Sequence, residues 1–230
     1  MNPMSGTAIS LAGDREQALA MFDVSRETVV RLDRFVALLL TWQHRTNLIS
    51  PSTVSSLWTR HVADSLQLLQ LAPMSPHMKP AVWLDLGSGG GFPGIVIACA
   101  LAEFPGACVH MVESNLKKAA FLREAVRESN APGIVHAARI ETLAPALGTA
   151  ADYVTARALA PLSDLLTMVA PFLKKGAKAL LPKGQDLDIE LTMATKHWNI
   201  GSEIVPSKTS KSGRILIVQE LSKRTTRGTH

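Results

Sequence analysis

The chain has 230 residues, 47% of them hydrophobic, and a net charge of +5, which fits a globular protein with one sizeable core and an extension. No apolar run is long enough to span a bilayer, and residues 1–13 lack the basic start and apolar stretch of a secretory signal. Only two cysteines occur, Cys99 and Cys108, both in apolar stretches, so they read as core fillers in a reducing cytoplasm and exclude a four-thiolate cluster.

Before residue 80 the periodicity is helical. Asp14 is expected to cap a short amphipathic helix carrying Ala18, Leu19, Met21 and Phe22. A longer helix follows, with Val29, Leu32, Phe35, Val36, Leu39 and Trp42 at three-to-four-residue spacing. A third is expected from Thr53 towards Leu71, where Arg60-His61-Val62-Ala63-Asp64-Ser65 sets polar groups beside Leu57, Leu66 and Leu69. That stretch reads either as capping and solvation of a helix or as a helix covering a cleft, with Arg60 and His61 meeting substrate. Pro73, Pro76 and Pro80 then form a link, so residues 1–78 read as an N-terminal helical extension and 79–221 as the core.

From Ala81 short apolar runs alternate with helical stretches. Strands are expected at Val82–Leu86, Val109–Glu113, Gly133–Ala137, Tyr153–Ala156, Lys178–Pro182, Ser202–Val205 and Arg214–Gln219. Helices are expected at Gly94–Glu103, Leu116–Ser129, Leu162–Phe172 and Asp186–Thr195. This rhythm predicts an α/β fold, a Rossmann-like seven-stranded sheet whose last two strands form an antiparallel hairpin.

Between the first strand and its helix lies Asp85-Leu86-Gly87-Ser88-Gly89-Gly90-Gly91-Phe92-Pro93-Gly94. A glycine-rich strand-to-helix turn brings backbone N–H groups close to a ligand, which predicts a nucleotide-like cofactor. Two parses fit. Gly89-x-Gly91-x-x-Gly94 satisfies the dinucleotide fingerprint. Asp85-x-Gly87-x-Gly89-x-Gly91 instead resembles motif I of the S-adenosylmethionine-dependent methyltransferases, which makes all four cofactor-binding candidates. It alone accounts for an acid two residues ahead of the first glycine, placed to accept hydrogen bonds from a cationic amino-acid cofactor.

In an open α/β sheet ligands bind outside the carboxyl ends of the strands. Glu113 ends the second strand and can accept both ribose hydroxyls of an adenosine, or act as an acid opening the next helix. Arg139-Ile140-Glu141 follows the third strand, where Ile140 can pack on adenine and Glu141 read its edge. The same residues equally read as a solvated ion pair. Arg157 follows the fourth strand among small apolar residues, facing a cofactor carboxylate, a substrate phosphate or a structural acid. Lys183 follows the fifth, as a substrate-facing cation. The seven histidines lack paired spacing, so no metal site is expected.

Residues 206–230 hold six basic side chains (Lys208, Lys211, Arg214, Lys223, Arg224, Arg227) against the single acid Glu220. The rest of the chain therefore sums to zero, and the basic edge suggests contact with a phosphate backbone. Residues 222–230 read as a basic tail, and for 223–230 alone a solvated, disordered tail is at least an equal reading.

The ordered set Asn47-Leu48, Arg60-His61-x-x-Asp64-Ser65, the Asp85–Gly94 loop, Lys117-Lys118-x-x-Phe121-Leu122, Arg139-Ile140-Glu141, Arg157-Ala158 and Lys183-Gly184-Gln185 resembles the RsmG (GidB) family of small-subunit ribosomal RNA guanine-N7 methyltransferases. The resemblance runs from Trp42 to Gln219. It implies S-adenosylmethionine as cofactor, held at Gly87, Phe92, Ile140, Glu141 and Arg157. It also implies, as substrate, a guanine in the 530 loop of 16S rRNA, free or within the small ribosomal subunit. Glu113 stands where many relatives carry Asp, a change that preserves ribose binding.

Guanine N7 has an in-plane lone pair and no proton, so its methylation needs alignment rather than a general base. The chain also lacks the Asn- or Asp-Pro-Pro-aromatic sequence common among enzymes that methylate exocyclic amines. Phe92, Trp58 and Tyr153 are the candidates for stacking on a flipped base. Competing classes are another methyltransferase on the same fold, a nicotinamide oxidoreductase using the dinucleotide parse, and a non-catalytic nucleic-acid binder. The expected protein is a cytoplasmic monomer without membrane contact.

Overall fold

Strand β1 (Val82–Leu86) is central because it is buried on both faces, which requires apolar residues at consecutive rather than alternate positions. The computed structural model describes residues 4–72, 79–143 and 151–224, with side chains from residue 11 onward. Around β1 lie β2 (Cys108–Val112), β3 (Gly133–His136), β4 (Tyr153–Ala156), β5 (Lys178–Lys183), β6 (Trp198–Pro206) and β7 (Arg214–Lys223). They form one seven-stranded sheet in the order β3-β2-β1-β4-β5-β7-β6. The first five strands are parallel, and β7 runs antiparallel to both β5 and β6.

The order reverses between β1 and β4, so their carboxyl ends open a crevice at the switch point. Helices cover both faces. On one side α4 (Gly94–Leu101) and α5 (Leu116–Ser129) share a core with the N-terminal helices α1 (Met4–Leu19) and α2 (Arg26–Gln43), through Phe35, Leu39, Ile97, Phe121 and Leu122. On the other, α7 (Leu162–Leu173) and α8 (Leu187–Ala194) bury Leu84, Leu86, Val154 and Leu216. A short α6 (Ile140–Leu143) follows β3.

Three expectations need correction. Asp14 does not start a helix: it lies inside α1. There its carboxylate accepts the Trp58 N–H at 2.7 Å and the Thr59 hydroxyl at 2.5 Å, capping a different segment. The expected third helix is not regular. It comprises a 3-10 stretch (Pro51–Ser56), a π-helical turn (Trp58–Ala63), α3 (Asp64–Leu66) and a second 3-10 stretch (Gln67–Leu71). Last, β6 begins at Trp198 and β7 runs to Lys223, with a bulge at Gly201/Ser202. The polar Asn199, Ser202 and Glu203 and the Gly201 hide that strand from a hydrophobic-pattern reading. The expected link prolines Pro73 and Pro76, and Arg227 of the basic tail, lie outside the described residues.

Candidate functional site

The loop after β1 is fastened from beneath. Asp85 is fully buried; its Oδ2 accepts the Gly94 N–H at 3.1 Å and its Oδ1 the Thr155 hydroxyl at 2.9 Å. Burial is the dominant influence on its carboxyl and, against three hydrogen bonds and Arg157, pushes it up to about 6. A Cβ at Gly94 would lie 2.7 Å from Asp85 Oδ2, so only glycine admits this contact. Asp85 thus holds strand, loop and helix together and is not among the side chains lining the cavity above it.

That cavity, of about 480 Å³, opens at the switch point and falls within the usual range for small-molecule sites. Gly87, Gly89 and Phe92 from the loop, Glu113 after β2, Ile140 and Glu141 from α6, and Arg157 after β4 all line it. Seven of the nine expected cofactor residues therefore converge, though they span 70 positions of sequence. Gly91 lies buried behind the wall, against Phe35 and Ile95. Gly87 takes φ +68°, a left-handed conformation costly for any residue with a Cβ. Glu113 bridges two turns: Oε2 accepts the Gly89 N–H at 2.9 Å and Oε1 the Asn115 N–H at 2.7 Å. Asn115, not Glu113, caps α5. Each Glu113 oxygen keeps a further lone pair for a ribose hydroxyl. A glycine cradle, a carboxylate at the β2 end and apolar Ile140 and Leu159 suit an adenosine-containing ligand.

Arg157 closes one side of the cavity. Its Nε meets Asp64 Oδ2 at 3.2 Å, its Nη2 donates to the Arg60 carbonyl at 2.9 Å, and its Nη1 lies 2.9 Å from His61 Nδ1. A guanidinium only donates, so His61 Nδ1 must be the acceptor and Nε2 must carry the proton given to Thr53 Oγ1 at 2.8 Å. Burial, then the charges of Arg157 and Arg60, lower His61 to about 3 and keep it neutral. Its ring stacks on Phe92, with centroids 4.9 Å apart and an interplanar angle of 29°. Of the three partners weighed for Arg157, the structural acid is the one it meets.

A second cavity, of about 280 Å³, shares Arg157 and Ala158 with the first. Arg60, Lys183 and Arg214 line it, together with Asp64, Glu190 and Thr209. Lys208 and Lys211 project from the adjoining turn between β6 and β7. Gln67 ties that turn to the N-terminal segment by accepting the Lys208 N–H at 2.9 Å, and Thr209 does so by donating to Asp64 Oδ1 at 2.7 Å. Five of the six expected RNA-contacting residues thus cluster on one side. His61 sits apart, buried in the wall of the first cavity. Ala158, between the cavities, has φ +50°, a conformation non-glycine residues adopt at a cost of roughly 1–3 kcal/mol. Glu190, Gln67 and Thr209 are not among the expected site residues, because each is a single polar residue outside any motif.

The stacking candidates separate as well. Trp58 is 2% exposed and lies under Arg15. Tyr153 packs on Trp83 at the opposite end of β4 from Ala156. Among the described residues Phe92 is the one of the three that lines a cavity, the first one.

A parallel sheet completed by an antiparallel hairpin, with a glycine cradle and strand-end acid at its switch point, defines a class I, S-adenosylmethionine-dependent methyltransferase. Solved structures agree on the fold. A putative O-methyltransferase from Klebsiella pneumoniae aligns with a TM-score of 0.54 at 14% identity, over 92% of this chain and 98% of that one. Cofactor-bound Rv0187 from MTB gives 0.54 at 14% identity, over 83% and 90% of the two chains. The family model described as rRNA small subunit methyltransferase G matches residues 29–217. The ribosomal RNA small subunit methyltransferase G of Bradyrhizobium sp. (strain ORS 278) is 54% identical over 97% of this chain and all of its own length. That of Bradyrhizobium sp. (strain BTAi1) is 56% identical over 90% of this chain and 91% of its own. The chain belongs to the rRNA small subunit methyltransferase G family.

Proposed function

We propose that this protein methylates N7 of a guanine in the 530 loop of 16S rRNA, presented on the RNA or on the small ribosomal subunit. The observation that carries this reading is the pair of cavities divided by Arg157 and Ala158, one suited to an adenosine-containing donor and the other lined by cations. S-adenosylmethionine, when bound, supplies an electrophilic methyl on a sulfonium sulfur. N7 carries a lone pair and no proton, so its methylation would form one C–N bond as one C–S bond breaks, with no proton to move and no base needed. The wall between the cavities suits that requirement. His61 is neutral with Nδ1 already occupied, and Arg157 is a permanent cation held by Asp64. The chain's contribution is alignment and exclusion of water.

In this reading Gly87, Gly89, Phe92, Glu113, Ile140 and Glu141 contact the donor, with Asp85 and Gly91 fixing the loop from behind. Arg60, Lys183, Lys208, Lys211 and Arg214 face the RNA. Residues 1–78 act as an extension that fastens Arg157, 79–221 as the core and 222–230 as a basic tail. Among the described residues no helix is long and apolar enough to cross a membrane, and the protein acts in the cytoplasm as a monomer.

The test is transfer of radiolabelled methyl from S-adenosylmethionine to small-subunit RNA. The expected label is on one guanine, which becomes sensitive to borohydride–aniline cleavage. Label on another RNA, or on protein, overturns the substrate assignment.

A further inference from the structure

We propose that the second cavity is the pocket for the target guanine and that the Lys183–Glu190 pair inside it reads O6, N1–H and N2–H of its Watson–Crick edge together. The proposal rests on the N7-methylation reading above and adds the group that selects the base. At about 280 Å³ the cavity lies near the lower limit of small-molecule sites, so it takes one nucleoside and not a folded RNA element. It adjoins the cofactor cavity through Arg157 and Ala158, which puts a base there beside the methyl donor.

Two carboxylates line this pocket, and they differ in what they have left to offer. Asp64 is spent: Oδ1 accepts from Thr209 Oγ1 and from Gln67 Nε2, each at 2.7 Å, and Oδ2 meets Arg157. Glu190 Oε2 accepts the Leu162 N–H at 2.8 Å and pairs with Lys183 Nζ at 2.5 Å. Its Oε1 has no hydrogen bond among the described residues. Helix α7 and Lys183 hold the carboxylate in place, and the Lys183 side chain is only 11% exposed.

A buried ammonium beside a carboxylate presents donor then acceptor. The Watson–Crick edge of guanine presents the complement, the O6 acceptor followed by the N1–H and N2–H donors. Adenine presents a donor at N6 and an acceptor at N1, which would oppose the ammonium to an amino group and the carboxylate to a lone pair. Such a mismatch leaves buried polar groups unpaired, the strongest form of rejection available to a binding site. N1–H and N2–H lie across the purine from N7, so the carboxylate that reads them leaves N7 free for the donor. Methylation also makes the purine cationic and its N1–H more acidic, so a carboxylate on N1–H stabilises the charge as it develops.

The experiment compares small-subunit particles reconstituted with RNA carrying guanine or inosine at the target position. Inosine keeps O6 and N1–H but lacks the N2 amino group. For the wild type, inosine is expected to lower kcat/KM by about 5- to 150-fold, the range for a good bidentate base contact. In Glu190→Gln the amide offers one acceptor and one donor. Leu162 N–H and Lys183 Nζ keep the amide oxygen at the Oε2 position, so the amide NH2 opposes N1–H of both bases and N2 of guanine alone. The kcat is expected to fall on both RNAs and the guanine-to-inosine ratio to fall to about one. Binding of S-adenosylhomocysteine at the wild-type affinity checks that the variant is folded, because Glu190 lies outside the cofactor cavity. Equal wild-type rates on the two RNAs overturn the proposal and leave N7 methylation standing. So does an equal loss on both RNAs in Glu190→Gln, the signature of a purely structural Glu190. Absence of N7 methylation of either RNA by the wild type overturns the proposal together with the reading beneath it.

Discussion

Two buried side chains, Asp85 and His61, flank Arg157 and titrate in opposite senses. Asp85 is raised from 3.8 to about 6 on folding, chiefly by burial. The folded state therefore holds its proton more tightly than the unfolded chain, and stability from this group is lost as pH rises from about 4 to about 6. His61 is lowered from 6.5 to about 3, again chiefly by burial. Here the unfolded chain takes the proton first, so stability is lost as pH falls from about 6.5 to about 3. Between pH 4 and 6 the two slopes oppose each other. Asp85→Asn retains both contacts, since its amide oxygen can accept the Gly94 N–H and its NH2 can donate to Thr155 Oγ1. This variant is expected to steepen the acid loss of stability between pH 6 and 4, whereas His61→Gln flattens it. Urea midpoints across that range, at unchanged m-value, check both slopes; parallel curves for wild type and variants would remove these groups from the account. The positions of Glu113 and Arg157 were legible in the sequence because strand ends in a doubly wound sheet face the ligand. The task of Asp85 was not: a carboxylate before a glycine loop reads as a ligand contact until its two oxygens are found occupied from below.

At the scale of elements, the segment from Pro51 to Leu71 matters most, because its irregular winding sets both cavities' shared wall. A π-helical turn carries about one extra residue per turn, which rotates the residues after it relative to a regular helix. It presents the Arg60 carbonyl and the His61 ring, and α3 directly after it the Asp64 carboxylate, to one guanidinium. Sequence periodicity registers the apolar face of this segment, Leu57, Val62 and Leu66, which is why a helix was legible there. It carries no signature of a change in winding, which is set by partners distant in sequence. One such partner is Asp14, 44 residues from the N–H it caps. Replacing a capping carboxylate typically costs about 0.5–2 kcal/mol. Asp14→Ala is therefore expected to lower stability by about 1 kcal/mol in urea denaturation and to weaken S-adenosylhomocysteine binding, since Phe92 loses the backing that His61 provides. Unchanged cofactor affinity alongside the stability loss would confine Asp14 to packing α1 against this segment.

Over the whole molecule, charge and topology combine to give one working side. The carboxyl ends of β1, β2, β4 and β5 open there, and the β6–β7 turn rises beside them because β7 pairs antiparallel with β5 and puts Arg214 opposite Lys183. The net +5 of residues 206–230 is thereby divided. Arg214 is occupied by Asp188 at 2.8 Å, Lys223 lies over Trp198, and Arg224 donates to the Thr195 carbonyl at 2.8 Å. Lys208 and Lys211 remain exposed on the turn, the Lys208 ammonium donating to the neutral Gln70 and neither lysine having an ion-pair partner among the described residues. Lysines in water beside a nucleic-acid cleft bind phosphates by releasing counterions, and each contact contributes about 0.7–0.9 to the slope of log K against log salt. The double change Lys208→Ala and Lys211→Ala is therefore expected to reduce that slope by about 1.5 and to weaken binding of small-subunit RNA regardless of the target base. Binding of S-adenosylhomocysteine should be unaffected, because neither lysine lines the cofactor cavity. Titrations at several salt concentrations separate this outcome from the base-specific loss expected at Glu190. An unaltered slope would mean that the RNA approaches from another side, with the turn serving only to close the second cavity.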